Sequence, residues 1–220
     1  ITMRLLRVDT GDPGGRGYIG SVHVVSDSEL LEIEAAKARD AQIETSARIQ
    51  KSLLSGTYDQ RIQGLEIAAE TLPSQQVDGD FFDFLNLGSD GIDFIVGDVM
   101  GKGVQAALLG AGVKSAFYKV LLTNSYSAEK VPHLSAILQG VNRMVAGNLM
   151  RLGKFLTMYY CRIDMSRSLL RFIDAGHTSL IYYEAAQKRC WRIKGSNMPM
   201  GFSEDQNFRE YILPLYHNDV

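Results

Sequence analysis

Hydrophobic and polar positions change rhythm along this chain, and each change predicts a different kind of element. Residues 2–8 and 17–25 read as two strands around a glycine-rich turn, Asp9-Thr10-Gly11-Asp12-Pro13-Gly14-Gly15, which predicts a β-hairpin. A hairpin is marginal alone in water, so it needs a further surface to pack on. Ser26-Asp27-Ser28-Glu29 then supplies hydroxyl and carboxylate caps to a stretch free of Gly and Pro that runs to Ser55, predicting a long helix over residues 28–55. Within it Ile33, Ala36, Asp40, Ile43, Ala47, Gln50 and Leu54 fall at alternating three- and four-residue steps, a weak heptad seam. Two readings fit that seam. One is a solvated linker helix docked by one face on its own domain; the other is a parallel, dimeric signalling helix.

From Gly64 onward the period shortens. Runs at 65–71, 81–87 and 92–98 predict strands, the last two separated by the hairpin signal Gly88-Ser89-Asp90-Gly91. Helical patterns follow at about 104–122 and 132–149, and strand patterns return at 155–163, 169–173, 180–183, 190–193 and 208–213. Strands, a helix pair and more strands argue an α+β domain in which helices cover antiparallel sheets. The domains expected are therefore residues 1–27, 28–55 and 56–220.

Composition alters this picture only by exclusion. The 220 residues are 45% hydrophobic and 22% charged with a net charge of −2, ordinary for a globular chain and without a global pull toward nucleic acid or anionic lipid. Cys161 and Cys190 sit in strand-like runs without metal-ligand spacing, so both are expected to be buried free thiols. No uninterrupted apolar stretch approaches the roughly 20 residues of a membrane span and no secretory pattern is visible, so the chain reads as cytoplasmic. An anchor elsewhere in a longer parent chain stays open.

The candidate chemistry is acidic. Asp98 ends the run Phe94-Ile95-Val96-Gly97 and precedes the turn Val99-Met100-Gly101-Lys102-Gly103, which places a carboxylate at a strand terminus beside a glycine turn and a helix start. Hard divalent cations favour such oxygen ligands. Upstream lies Asp78-Gly79-Asp80-Phe81-Phe82-Asp83. Side chains alternate along a strand, so Asp78 and Asp80 share one face and Asp83 takes the other. On local pattern alone, solvated carboxylates at a strand entry fit as well as a metal site does.

Four segments in order resemble one family. They are 72–83 (Leu-Pro-Ser-Gln-Gln-Val-Asp-Gly-Asp-Phe-Phe-Asp), 96–108 (Val-Gly-Asp-Val-Met-Gly-Lys-Gly-Val-Gln-Ala-Ala-Leu), Asp174-Ala175-Gly176-His177 and Pro199-Met200-Gly201. Together they resemble the SpoIIE/RsbU-like branch of the metal-dependent PPM serine/threonine protein phosphatases over roughly residues 47–220. The resemblance implies a PPM-type β-sandwich of antiparallel sheets flanked by helices, preceded here by the hairpin and the linker helix. It also implies Asp98 as the carboxylate bridging two Mn²⁺ or Mg²⁺ ions, the Val99 carbonyl as a further ligand, and Asp80 as a carboxylate holding the metal shell directly or through water. The implied reaction is hydrolysis of phosphoserine or phosphothreonine by water activated between the cations, without a phosphoenzyme. Asp83, Gly101, Lys102 and His177 are secondary candidates. Lys102 could bind phosphate, although its place in the pattern favours a structural or switching role. His177 could be an acid, a ligand or a hydrogen-bonded structural residue.

By the same resemblance the substrate is a phosphorylated STAS-type anti-sigma-factor antagonist, and the hairpin resembles the last strands of a PAS-type sensor acting upstream. A homodimer through the linker helix is a further expected partner; nucleic acid is not. Three positions depart from the family pattern. Asp78 stands where a glycine is usual, Met100 where a serine or other small residue is usual, and Asp174 where asparagine precedes Ala-Gly-His. The pattern also continues past Asn218-Asp219-Val220 into an apolar strand and a Thr/Ser-Asp-Gly motif with further acidic ligands. With those carboxylates outside the sequence, these residues are expected to bind metal weakly by themselves. The rival reading is a catalytically inactive phosphatase fold that serves as a signalling or dimerisation module.

Overall fold

A computed structural model describes residues 2–9, 16–23, 29, 31–37, 62, 64–70, 79–85, 91–125 and 132–220. The chain divides into two compact units, Ile1–Thr45 and Ser46–Val220. In the first, β1 (Thr2–Asp9) pairs antiparallel with β2 (Arg16–His23) in a register running from Thr2↔His23 to Asp9↔Arg16. Residues 31–37 of this unit are helical and exposed. The rest of the expected linker helix, residues 38–55, lies outside the described residues.

The second unit is built on a five-stranded antiparallel sheet of order β3-β4-β5-β6-β9. Its strands are β3 (Asp80–Leu85), β4 (Gly91–Val99), β5 (Leu156–Asp164), β6 (Leu169–Ala175) and β9 (Tyr211–Pro214). Residues 86–90, where the hairpin signal falls, lie outside the described residues; β3 and β4 pair directly. Helices α1 (Val104–Ser125) and α2 (Leu134–Arg151) follow β4. In α2 the buried Leu134, Ile137, Leu138, Val141 and Leu149 recur at three- and four-residue steps, giving one apolar stripe to bury. That stripe packs with Val113, Phe117 and Leu121 of α1 against Phe81, Leu85, Ile95, Val99, Met158 and Ile173 of the sheet. The opposite face of the sheet carries Tyr159, Cys161, Leu170 and Phe172, packed against Leu180 of β7 (Leu180–Glu184) and Ile193 of β8 (Arg189–Ile193). With both faces covered, β4 and β5 read as near-continuous apolar runs and not as an alternation.

Several expectations need correcting. Of the strand expected at 65–71, residues 65–70 are described and carry no ladder among the described residues: Ile62 and Leu65 make an isolated bridge, and residues 66–70 have none. A β-propensity run without a partner strand does not make a sheet element. The last strand begins at Tyr211 and not at 208. Phe208 turns into the core, and the Asn197 side chain takes over the pairing of Arg209, accepting its N–H at 2.7 Å and donating to its carbonyl at 3.0 Å. Cys161 is buried, which pushes its thiol pKa up, but Cys190 is exposed. Finally, Val104–Thr123 is one helix long and apolar enough to cross a membrane, with mean hydropathy 1.2. In this fold it is a core helix carrying Val113, Phe117 and Leu121 into the interior.

A buried polar network ties the sheet to the loop ahead of α2. On β4, Asp93 accepts from Arg162 at 2.6 and 2.8 Å and from the Tyr160 hydroxyl at 2.5 Å, while Arg162 also donates to the Pro132 carbonyl at 2.7 Å. Burial pushes the Asp93 carboxyl up, and Arg162 and Tyr160 oppose that shift. Removing one partner of such a pair strands a buried charge. Asp93→Ala is therefore expected to cost about 3–5 kcal/mol in urea unfolding, with Asp93→Leu/Arg162→Met recovering most of it; equal losses in the single and double variants would contradict this.

Candidate metal centre

Strand pairing builds the site. The β3–β4 register sets Asp80 directly opposite Asp98, and the β4–β5 register sets Asp98 opposite Thr157. Directly opposed residues share a face. Asp80, Asp98 and Thr157 therefore form a polar row across three strands, on the side away from the helices. Both carboxylates are exposed. His177 extends the row, its Nδ1 lying 2.8 Å from the Thr157 hydroxyl.

The backbone holds this row in place. Gly79 carries no side chain where one would collide: a Cβ there would lie 2.3 Å from the Val99 carbonyl oxygen and 3.1 Å from Asp98 Oδ1. Its own carbonyl accepts the Val99 N–H at 3.2 Å. Val99 thus buries its side chain in the core while its carbonyl is pressed against Gly79. Beyond it the chain turns through Gly101 and Gly103, with φ of 111° and 81°, a region that L side chains enter only at a cost. Lys102 lies exposed between them. The turn is joined to the chain just ahead of β5 by the Met100 N–H donating to the Phe155 carbonyl at 2.9 Å.

His177 is set by its neighbours. Asp174 accepts the His177 N–H through Oδ1 and the Gly195 N–H through Oδ2, each at 2.8 Å, so the departure from asparagine serves as a two-armed loop staple. Partial burial lowers the imidazole pKa below its ordinary 6.5, while Asp98, Asp174 and Asp80 pull it back up. A neutral ring sharing a proton with the Thr157 hydroxyl follows at neutral pH.

Asp83 belongs elsewhere. It faces the helices, pairs with Lys114 at 3.0 Å and accepts from the Tyr118 hydroxyl at 3.2 Å. The structure thus brings together Asp80, Asp98, Val99, Gly101 and His177, and separates Asp83 from them. Asp78 lies outside the described residues. Thr157, and Asp174 as a staple, were not singled out from sequence. Only Thr157's position as a polar residue between Leu156 and Met158 marked it, and the strand register was needed to use that sign.

The donor chemistry fits a hard divalent cation. Two carboxylates on adjacent strands and a constrained carbonyl offer oxygen alone. Among the described residues no cluster of three or more Asp, Glu, His or Cys forms.

A family model described as Stage II sporulation protein E (SpoIIE) matches residues 88–220. The chain belongs to the SpoIIE family. The matched segment holds Asp98, Val99, the glycine turn, Thr157 and His177, with Asp80 just ahead of it. A relative in sequence is the phosphoserine phosphatase RsbU of Bacillus subtilis, 27% identical over 184 residues, or 82% of this chain and 51% of RsbU. The chain thus spans about half of that SpoIIE-family relative. Among solved structures, the SiaA-PP2C domain of Pseudomonas aeruginosa is similar with a TM-score of 0.59 at 22% identity, covering 83% of this chain and 69% of that one. The RsbU and RsbW domains of Rv1364c from Mycobacterium tuberculosis give a TM-score of 0.51 at 25% identity, covering 70% and 39%. These likenesses agree with the α+β, PP2C-type fold.

The contact between Gly79 and Val99 yields a direct test. Gly79→Ala is expected to destabilise the protein by about 1–3 kcal/mol, as overpacking does, and to weaken divalent-cation binding measured by calorimetry. Unchanged stability and affinity would show that the close approach is dispensable.

Proposed function

We propose that this chain is the catalytic part of a metal-dependent protein serine/threonine phosphatase in a bacterial signalling pathway, acting on phosphoserine or phosphothreonine of a STAS-type anti-sigma-factor antagonist. The observation that carries the reading is Asp80 opposite Asp98 at the strand ends, with the Val99 carbonyl beside them, in a SpoIIE-family chain related to RsbU. Asp80, Asp98 and the Val99 carbonyl would hold Mn²⁺ or Mg²⁺, with two ions in the complete ligand set. When bound, such cations lower the pKa of water and offset charge on phosphoryl oxygens. The chain's own residues then orient and admit the substrate. Thr157 fixes the His177 ring beside the carboxylates, and the exposed position of the Asp pair leaves room for a phosphorylated loop of a folded protein. That substrate places the activity in the cytoplasm.

A second reading, a catalytically inactive signalling module, is favoured by the partial set of carboxylates among the described residues. Mn²⁺-dependent phosphate release from a phosphoserine-bearing STAS protein separates the two. A C-terminally extended wild type is expected to release phosphate, and Asp98→Ala in it to reduce the rate at least about 100-fold, the scale of losing a main stabiliser of the transition state. Absence of wild-type turnover favours the inactive module.

Upstream, the helix expected at 28–55 would pass a signal from a PAS-like sensor through a parallel homodimer. Leu31 and Ile33 support this, being 66% and 44% exposed on the helical segment. Sedimentation equilibrium is expected to show a dimer that Ile33→Asp/Ile43→Asp converts to monomer. A wild type that stays monomeric throughout the measured range contradicts the seam.

A further inference from the structure

Lys154 stands between the end of α2 and the start of β5, half-buried, and its root is fixed from several sides. Its N–H donates to the Leu149 carbonyl at 2.9 Å, and the carbonyl of the next residue, Phe155, accepts the Met100 N–H at 2.9 Å. Gly201 packs so closely that a Cβ there would lie 3.1 Å from the Lys154 carbonyl oxygen. From this root the side chain reaches over the glycine turn. A Cβ on Gly101 would lie 2.8 Å from Lys154 Nζ. Gly101, with its φ of 111°, therefore both makes the turn and leaves room for the ammonium. The turn follows Asp98 and Val99 directly in the chain, so the ammonium lies over the turn that leads away from the carboxylate pair.

Among the described residues nothing else uses that cation. Lys114 is committed to Asp83, whereas Lys154 Nζ makes no hydrogen bond or ion pair among the described residues. An ammonium carried on a fixed backbone root, without a carboxylate partner among the described residues, is suited to an external anion. Lysine binds phosphate as a point charge, without the planar fork that arginine offers. We propose that Lys154 is the substrate-phosphate contact of this site, its ammonium donating to a phosphoryl oxygen of the phosphoserine or phosphothreonine group. This rests on the phosphatase reading above, and it adds a residue that the acidic motifs do not include.

Binding and turnover should be measured separately. Inorganic phosphate is titrated by calorimetry in the presence of Mg²⁺ into wild type, Lys154→Gln, Lys154→Arg and the distant surface variant Lys119→Gln, and each protein is assayed on a phosphoserine protein. Lys154→Gln is expected to weaken phosphate binding about tenfold and to raise KM by a similar factor with a smaller change in kcat, the scale of one charge-assisted hydrogen bond. Lys154→Arg should recover most of both, and Lys119→Gln should match wild type. Lys154→Met replaces the glutamine variant if circular dichroism shows that one unfolded. Unchanged phosphate affinity in a folded neutral variant overturns the assignment, and wild-type turnover in that experiment leaves the phosphatase reading standing. Lys154-dependent phosphate binding without wild-type turnover supports the assignment and counts against the phosphatase reading. A wild type that neither binds phosphate nor turns over overturns both.

Discussion

The antiparallel register between β3 and β4 is the constraint on which the rest of the site depends. It sets Asp80 against Asp98 and brings Gly79 onto the Val99 carbonyl, so the carboxylates and the carbonyl are positioned by one ladder. A slip by one residue would exchange the two faces of β3. Asp80 would then point into the apolar core and Phe81 to the exposed side. Phe81 guards against this, because it is buried and its ring fills the space left by Gly97, where a Cβ would lie 2.7 Å from Cζ. The apolar face thereby fixes the polar one.

Charge inside the unit reinforces that register. Asp83 lies on the buried face of β3, where an unpaired carboxylate would be costly, and Lys114 and Tyr118 of α1 meet it there. On β4, Asp93 is held by Arg162 and Tyr160 of β5. Each pair is satisfied in one alignment of helix and strand. Such pairs contribute modestly to net stability, but misalignment leaves a buried charge without a partner. In this fold they act chiefly to specify alignment.

Much of this was legible in the sequence because it rests on local rules. The 3.6-residue stripe of α2, the apolar runs of β4 and β5, and the parity that splits Asp80 from Asp83 all follow from side-chain periodicity. The glycines around Asp98 marked a turn by themselves. What escaped was decided by partners distant in sequence. Residues 65–71 have strand composition without a described ladder, Cys190 sits on the exposed β8 within an apparently apolar stretch, and Asn197 replaces a strand in pairing Arg209. Thr157 and Lys154 gain meaning only from what lies across the sheet or over the turn. A lone threonine in an apolar strand and a lysine after a helix have many ordinary explanations until the register is known.

The exposed position of Asp80 and Asp98 raises a question of precision, since exposed carboxylates have wide rotamer freedom and a metal site tolerates little error. The answer lies in the main chain. Gly79 clamps the Val99 peptide from one side, Met100 is bonded to Phe155 just ahead of β5, and Asp174 staples the loop bearing His177 to Gly195. These contacts fix where each side chain leaves the backbone, and they do so from the rigid side of the sheet. Side-chain freedom is thereby confined to the last torsions of two short aspartates, which have little to lose when a cation orders them. Longer glutamates on the same scaffold would bring the same oxygens with more freedom to surrender, so short acids at pinned strand ends keep a site open to solvent and still accurate.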